Sequence, residues 1–282
     1  MEIDITALES LIDIAIKEDI GEGDHTSLAT IPLELKGKAQ LIVKEDGIIA
    51  GLEVAKIIFQ KVDPDLNCNL FLKDGQTVKK NDVALIVEGK VISILKAERI
   101  VLNIMQRMSG IATQTHQYVE KIKDLKARIL DTRKTAPGMR LLDKYAVKAG
   151  GGENHRFGLF DMILIKDNHI DFAGGIEQAI KKTHDYLNKK NKKLRIEIEA
   201  RTLEDVEIIL RSGGVDRILL DNFSPELTRK AVLLLNGKIE TESSGNITLT
   251  NIRDYAECGV DYISIGALTH HIKSLDLSLK AC

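Results

Sequence analysis

The stretch LRIEIEARTLEDVEIILRSGGVDRILLDN, residues 194–222, decides the fold. It opens with apolar and acidic residues in alternation, continues through TLEDVEIILRSG with apolar side chains three and four apart, and closes on a second apolar run ending at Asp221-Asn222. Strand, helix and strand follow so closely that the two strands must be parallel, joined by a crossover helix.

The same rhythm extends outward in both directions. ARILD and MILIKD precede the stretch, KIETESSG and DYISIGA follow it, and GGIEQAIKKTHDYLNKK and PELTRKAVLLLN supply further helical text. Ser224 is the N-cap candidate of the last helix, with Pro225 at its first position. Repeated β and α units allow an α/β barrel or a doubly wound sheet. The lack of a glycine-rich dinucleotide fingerprint after any strand favours the barrel.

Upstream the text differs. Residues 4–19 read as an amphipathic helix with Ile5, Leu8, Ile12 and Ala15 in one stripe, and GEGDHTS reads as a loop. From Lys36 to Ile94 β-branched residues alternate with polar ones around Asp-Gly turns, interrupted by the helix EVAKIIFQKV. AERIVLNIMQRMSGIATQTHQYVEKIKD then reads as a helix with a break near Ser109-Gly110. The organisation expected is an α+β domain over 1–109 and an α/β barrel over 110–282, with the last residues packing back on the first domain.

Composition excludes several functions. Forty basic against 42 acidic side chains give a net charge of -2, so no general field draws nucleic acid or anionic membrane. No run is long and apolar enough to span a bilayer, and the N-terminus lacks the pattern of a signal peptide. Cys68, Cys258 and Cys282 have no metal-ligand spacing and read as free thiols of a reducing, cytoplasmic compartment.

A barrel gathers its active site at the carboxyl ends of its strands. Those ends here are Asp131-Thr132-Arg133-Lys134, Lys166-Asp167-Asn168-His169, Glu197 and Glu199, Asp221-Asn222, Glu242 to Asn246, and Gly266-Ala267. They sort by chemistry. The first two, with the intervening GGGENHR, bring Arg133, Lys134, His155, Arg156 and Lys166; the next two bring carboxylates. Arginine forks and lysine point charges suit a small molecule bearing carboxylates and phosphates, and carboxylates suit magnesium. The turns at SSGN and Gly266-Ala267 can offer backbone N–H groups to phosphate. Arg140 and Lys144 read as the solvated face of the next helix, His169 as a structural hydrogen-bonding residue, and His116 and His184 as ordinary helix positions. Lys166 at a strand tip also fits a Schiff-base lyase or aldolase, which leaves the other cations unexplained, and the late turns fit a phosphate sensor, which has no need for Arg133, Arg156 and Lys166 together.

These segments resemble a known family. DTRKTAPGMR, GGGENHRFGLFDMILIKDNH, the EIE pair, LLDNF, SSGNI and SIGALTH are similar, in order and spacing, to quinolinate phosphoribosyltransferases. EDIGEGDHTS, DGQTVKKNDV and AERIVLNIMQRMSGIATQT extend the resemblance over nearly the whole chain. It implies an N-terminal α+β domain and an incomplete barrel, in a homodimer at least. It also implies conversion of quinolinate and 5-phosphoribosyl-1-pyrophosphate (PRPP) into nicotinate mononucleotide, pyrophosphate and CO2 with Mg²⁺, in NAD biosynthesis.

By the same resemblance Arg133, Lys134, His155, Arg156 and Lys166 form the quinolinate pocket, and Arg99 reaches into the neighbouring subunit's site. Lys134, Lys166, Glu199 and Asp221 are the catalytic set, with Glu199 and Asp221 at the metal. Ser244, Gly245, Asn246, Gly266 and His270, with Lys134 and Lys166, bind the phosphates. Asn246 and Asn81 stand where the family commonly has glycine, and both are expected in the left-handed region that asparagine tolerates.

Overall fold

In the computed structural model residues 4–282 are described; Met1–Ile3, the start of the segment read as lacking a leader, lie outside the described residues. The chain forms two compact units. The first comprises the residues up to His116 together with Thr135–Gly151 and Ala267–Cys282, and the second comprises Gln117–Lys134 and Gly152–Gly266.

The first unit begins with α1 (Ile5–Asp19), where the Asp4 side chain accepts the Ala7 N–H as N-cap. Leu8 and Ile12 are buried as the stripe requires, while Ile5 is exposed. GEGDHTS is only partly a loop: Asp24 caps Ser27 and starts α2 (His25–Thr30). An aspartate three residues ahead of a serine N–H closes the first turn, and the Gly-rich start of the segment masked it. Strand β1 (Lys36–Val43) pairs antiparallel with β5 (Val83–Lys90), which pairs with β3 (Asn67–Leu70). The C-terminal strand, β12 (Leu277–Ala281), completes the sheet against β1. Helix α3 (Leu52–Val62) buries Val54, Ala55, Ile58 and Phe59, and β2 (Gly47–Ile48) and β4 (Thr77–Val78) form a small pair. Asn81 has φ 78°, in the left-handed region as expected.

Two expectations about the next segment fail. Helix α4 (Val91–Ile122) starts earlier than the alternating text suggested and runs through Ser109-Gly110 without a break. Gly110 serves packing: a Cβ there would collide with the Lys273 carbonyl. Downstream, α5 (Arg140–Ala149) begins at Arg140, and Lys144 is fully buried rather than solvated. Helical period alone cannot tell which face of a helix will be covered.

The second unit is an open α/β barrel. Strands β6 (Arg128–Leu130), β7 (Ile163–Ile165), β8 (Ile196–Ala200), β9 (Arg217–Asp221), β10 (Glu240–Ser244) and β11 (Tyr262–Ser264) form one parallel sheet in the order β6-β11-β10-β9-β8-β7. The last strand pairs with the first, as in a closing cylinder. Among the described residues β6 and β7 are not paired with each other; Leu130 of β6 instead bridges Glu153 in the segment that leads to β7.

Helices α6 (Asp167–Ala173), α7 (Ile176–Lys190), α8 (Leu203–Ser212), α9 (Pro225–Leu235) and α10 (Ile252–Ala256) connect the strands. Ile196, Ile198, Ala200, Ile218 and Leu220 face Val206, Ile209, Ala231 and Leu235 of these helices in one apolar layer. Each fully buried aliphatic side chain contributes about 1.5–3 kcal/mol. Because strand side chains alternate, the residues between them, Glu197, Glu199, Arg217, Leu219 and Asp221, point to the barrel interior. Helices α8 and α9 start as their caps require, by a Thr202–Asp205 capping box in α8 and by Ser224 with Pro225 in α9.

Candidate active site

The barrel interior is layered, and its lower layer is charged. Arg217 donates to Glu240 at 3.3 Å and to Glu242 at 3.0 Å, and its guanidinium lies 3.9 Å from the centre of the Tyr262 ring. Arg128 holds the same ring's hydroxyl at 2.6 Å. Above this layer His155 Nε2 approaches Glu197 at 2.9 Å and Glu242 at 3.5 Å. Glu197 and Glu242 are both wholly buried.

His155, Glu197 and Glu242 converge closely enough to hold a metal ion. Arg217 already matches the Glu242 charge, so the group works as an ion-pair cluster. Burial pushes Glu197 up to about 7, reinforced by the Glu242 charge. Burial also works on Glu242, but hydrogen bonds from His155 and Ser264 and the Arg217 charge overcome it and hold the carboxyl at about 2. At His155 burial opposes charge while both carboxylates favour it, raising the ring to about 9. Yet Nδ1 accepts the Arg156 backbone N–H at 2.7 Å, and two N–H groups cannot face each other at that distance. That contact needs a lone pair on Nδ1, so the hydrogen-bonded arrangement has its ring proton on Nε2, against the pull of the two carboxylates toward a charged ring.

The cationic part lies on the segments after β6 and before β7. Buried Asp131 at the end of β6 accepts the Asn154 amide at 2.6 Å and the His155 N–H at 2.9 Å, fixing the GGGENHR segment to the strand tip. Arg156 donates to the Met162 carbonyl at 3.1 Å. Its pKa is lowered by burial and then by the nearby Arg133 charge, so the two guanidiniums lie close enough to repel. Lys134 and Lys166 are exposed at the tips of β6 and β7. The Lys166 N–H is accepted by His169 Nδ1 at 3.0 Å, the structural role read for that histidine.

The acidic part lies on β8 and β9. Glu199 is 7% exposed, and burial raises its pKa, followed by the charges of Asp221 and Asp167. Lys166 and Arg201 pull the other way. Carboxylate oxygens suit a hard divalent cation, although among the described residues the group whose ligand atoms converge is His155, Glu197 and Glu242 and not Glu199, Asp221 and Asp167. Next to them, Asn222 donates to Asp221 at 2.7 Å and accepts from Asn246 at 3.2 Å. Gly245 has φ 94° and abuts Asn222, where a Cβ would collide; Asn246 follows at φ 52°, left-handed as expected. Ser244 and Gly266 stand half-buried at the ends of β10 and β11.

Eleven of the thirteen residues read as site residues, Arg133, Lys134, His155, Arg156, Lys166, Glu199, Asp221, Ser244, Gly245, Asn246 and Gly266, thus fall in the second unit. Arg99, exposed on α4, and His270, exposed at the end of α11 (Ala267–His270), belong to the first. Arg217 and Asn154 were missed, and the position of Glu242 deep in the interior was not foreseen. The signal was available for Arg217, which alternates with Leu219 and Asp221 on one strand face.

An open barrel with paired arginines on one side of its mouth and carboxylates on the other defines an enzyme of small polyanionic molecules. Residues 111–280 match the C-terminal domain of quinolinate phosphoribosyl transferase and residues 24–109 its N-terminal domain. The chain belongs to the quinolinate phosphoribosyltransferase family. It is 48% identical to the chloroplastic nicotinate-nucleotide pyrophosphorylase (carboxylating) of Arabidopsis thaliana, over 97% of this chain and 82% of the relative. It is 42% identical to a probable nicotinate-nucleotide pyrophosphorylase (carboxylating) of Bacillus subtilis, over 96% and 92%. The solved nicotinate-nucleotide pyrophosphorylase of Francisella tularensis superposes with a TM-score of 0.93 at 40% identity, covering 100% of this chain and 98% of that one.

Proposed function

We propose that the two halves of the barrel mouth divide the work of quinolinate phosphoribosyl transfer. The chain is a decarboxylating phosphoribosyltransferase of NAD biosynthesis, joining quinolinate to PRPP with release of pyrophosphate and CO2. The observation that carries the division is the closeness of Arg133 and Arg156, two like charges between which a bound carboxylate would be favoured. Arg133, Arg156, Lys134 and Lys166 bind the two quinolinate carboxylates and hold the pyridine nitrogen in line with the ribose carbon.

Departure of pyrophosphate leaves positive charge on the sugar, which Glu199 and Asp221 face. These two carboxylates would hold a magnesium ion, which would supply charge neutralisation for the leaving pyrophosphate. The turns at Ser244, Gly245, Asn246 and Gly266 offer backbone N–H groups to phosphate. Nitrogen–carbon bond formation makes the ring a pyridinium. The bond to the carboxylate beside that nitrogen then breaks, CO2 leaves, and the electron pair remaining on the ring carbon takes up a proton.

Arg99, exposed on α4, supports a homodimer in which it completes the site of a second copy. No helix among the described residues is long and apolar enough to cross a membrane, and the free thiols fit the reducing cytoplasm.

The test is an assay of quinolinate with PRPP and Mg²⁺, following CO2 and mononucleotide. Turnover should vanish on chelation and drop at least a hundredfold in Arg133→Ala, as expected for a lost bidentate carboxylate contact. Nicotinate used as well as quinolinate would refute the carboxylate assignment.

A further inference from the structure

We propose that His155 is a positioning residue for Arg156, held from below by Glu197 and the Glu242–Arg217 pair, and does not contact the substrate. The inference rests on the reading that the Arg133–Arg156 pair binds quinolinate. Its ground is that one ring nitrogen is hydrogen-bonded to the backbone and the other faces buried carboxylates. Nε2 points down to Glu197 at 2.9 Å, and Nδ1 receives the Arg156 backbone N–H at 2.7 Å. The backbone N–H of His155 itself goes to Asp131 at 2.9 Å. The imidazole therefore bridges the floor of the barrel on β8 to the segment that carries Arg156.

A ring in this tautomer is neutral and has no charge to offer a carboxylate. It fixes instead the backbone from which the Arg156 side chain departs. That side chain is pinned at its other end to the Met162 carbonyl at 3.1 Å. With both ends set, the guanidinium is kept beside Arg133 despite the repulsion between them. Glu242, wholly buried, keeps Arg217 at 3.0 Å and lies 3.5 Å from Nε2, so the floor presents acceptors to the ring and stops it turning over. A flipped ring would present the Cδ2 carbon to the Arg156 N–H and lose the hydrogen bond there.

The experiment compares His155→Asn with His155→Gln in the full chain, varying quinolinate and PRPP separately. The Asn amide oxygen occupies the place of Nδ1 and can accept the Arg156 N–H; Gln extends toward Nε2 and leaves Nδ1 unreplaced. His155→Gln should raise the KM for quinolinate about tenfold, as for one lost hydrogen bond, with the KM for PRPP essentially unchanged. His155→Asn should recover most of that loss. Equal losses in the two variants, or a larger one in Asn, would overturn the proposal.

If neither variant folds, nitrogen NMR of the wild-type chain decides. The ring coupled across a hydrogen bond to the Arg156 amide should show a bare Nδ1 and a protonated Nε2, unchanged on adding quinolinate. A second proton gained on binding would overturn the proposal. Wild-type turnover of quinolinate is read in the same series, so failure of the underlying functional reading is seen separately.

Discussion

At Glu199 function and stability pull in opposite directions. Burial and the neighbouring Asp221 and Asp167 charges raise its pKa above the usual 4.5, so the ionised form costs the fold stability at neutral pH. That cost disappears as the pH falls through the raised value and the carboxyl takes a proton. Glu199→Gln should therefore melt at a higher temperature than wild type at pH 7 while losing turnover, as checked by calorimetry beside the assay. In wild type the acid limb of kcat/KM should lie above pH 4.5 and move down in Asp221→Asn, which removes one repelling charge. Gly245 permits a sharper test of the phosphate turn. Alanine there meets both the collision with Asn222 and the strain of φ 94°, about 1–3 kcal/mol in all, and should raise the KM for PRPP more than that for quinolinate.

Among the elements, α4 and α5 are tied by a buried ion pair. Arg107 meets Asp143 through two bonds of 2.8 Å, and Arg107 also donates to the Thr269 carbonyl at 3.0 Å. Asp143 in turn accepts the Ala136 N–H at 3.3 Å. One pair thus anchors the chain just after Lys134 and just before His270. Asp143→Ala leaves a cation with its partner gone and should cost about 3–5 kcal/mol in denaturant unfolding. How legible each element was follows from which physical signal wrote it. The strands of the barrel were readable because apolar residues facing the helices alternate with polar ones facing the interior, and the tips sort by charge. Lys144 was misread because lysine in helical text normally means solvent, whereas here it is fully buried. Gly110 was taken for a helix breaker because the reason for it, the Lys273 carbonyl, lies at the other end of the chain. The left-handed turns at Asn81 and Asn246 were readable, because asparagine carries its conformational tolerance with it.

For the whole molecule the consequential residue is Arg99. If it completes the site of a second copy, Arg99→Ala and Lys166→Ala should each be inactive alone, yet regain activity when mixed and allowed to exchange. A mixed dimer would carry both lesions in one site and none in the other, giving about a quarter of wild-type turnover at random pairing. No recovery would place Arg99 outside the site. A different consequence follows from the seam between β6 and β7. Strands β8 to β11 are hydrogen-bonded on both flanks, whereas β6 and β7 each have a full ladder on one flank only, the other flank of β6 meeting just the Leu130–Glu153 bridge. Backbone amides of β9 should therefore exchange with deuterium only on global unfolding, while those of β6 and β7 exchange by smaller local openings. The strands that carry Arg133, Lys134 and Lys166 at their tips would then be the first of the barrel to yield, which gives the cationic side of the mouth room to adjust around an incoming ring without disturbing the acidic side.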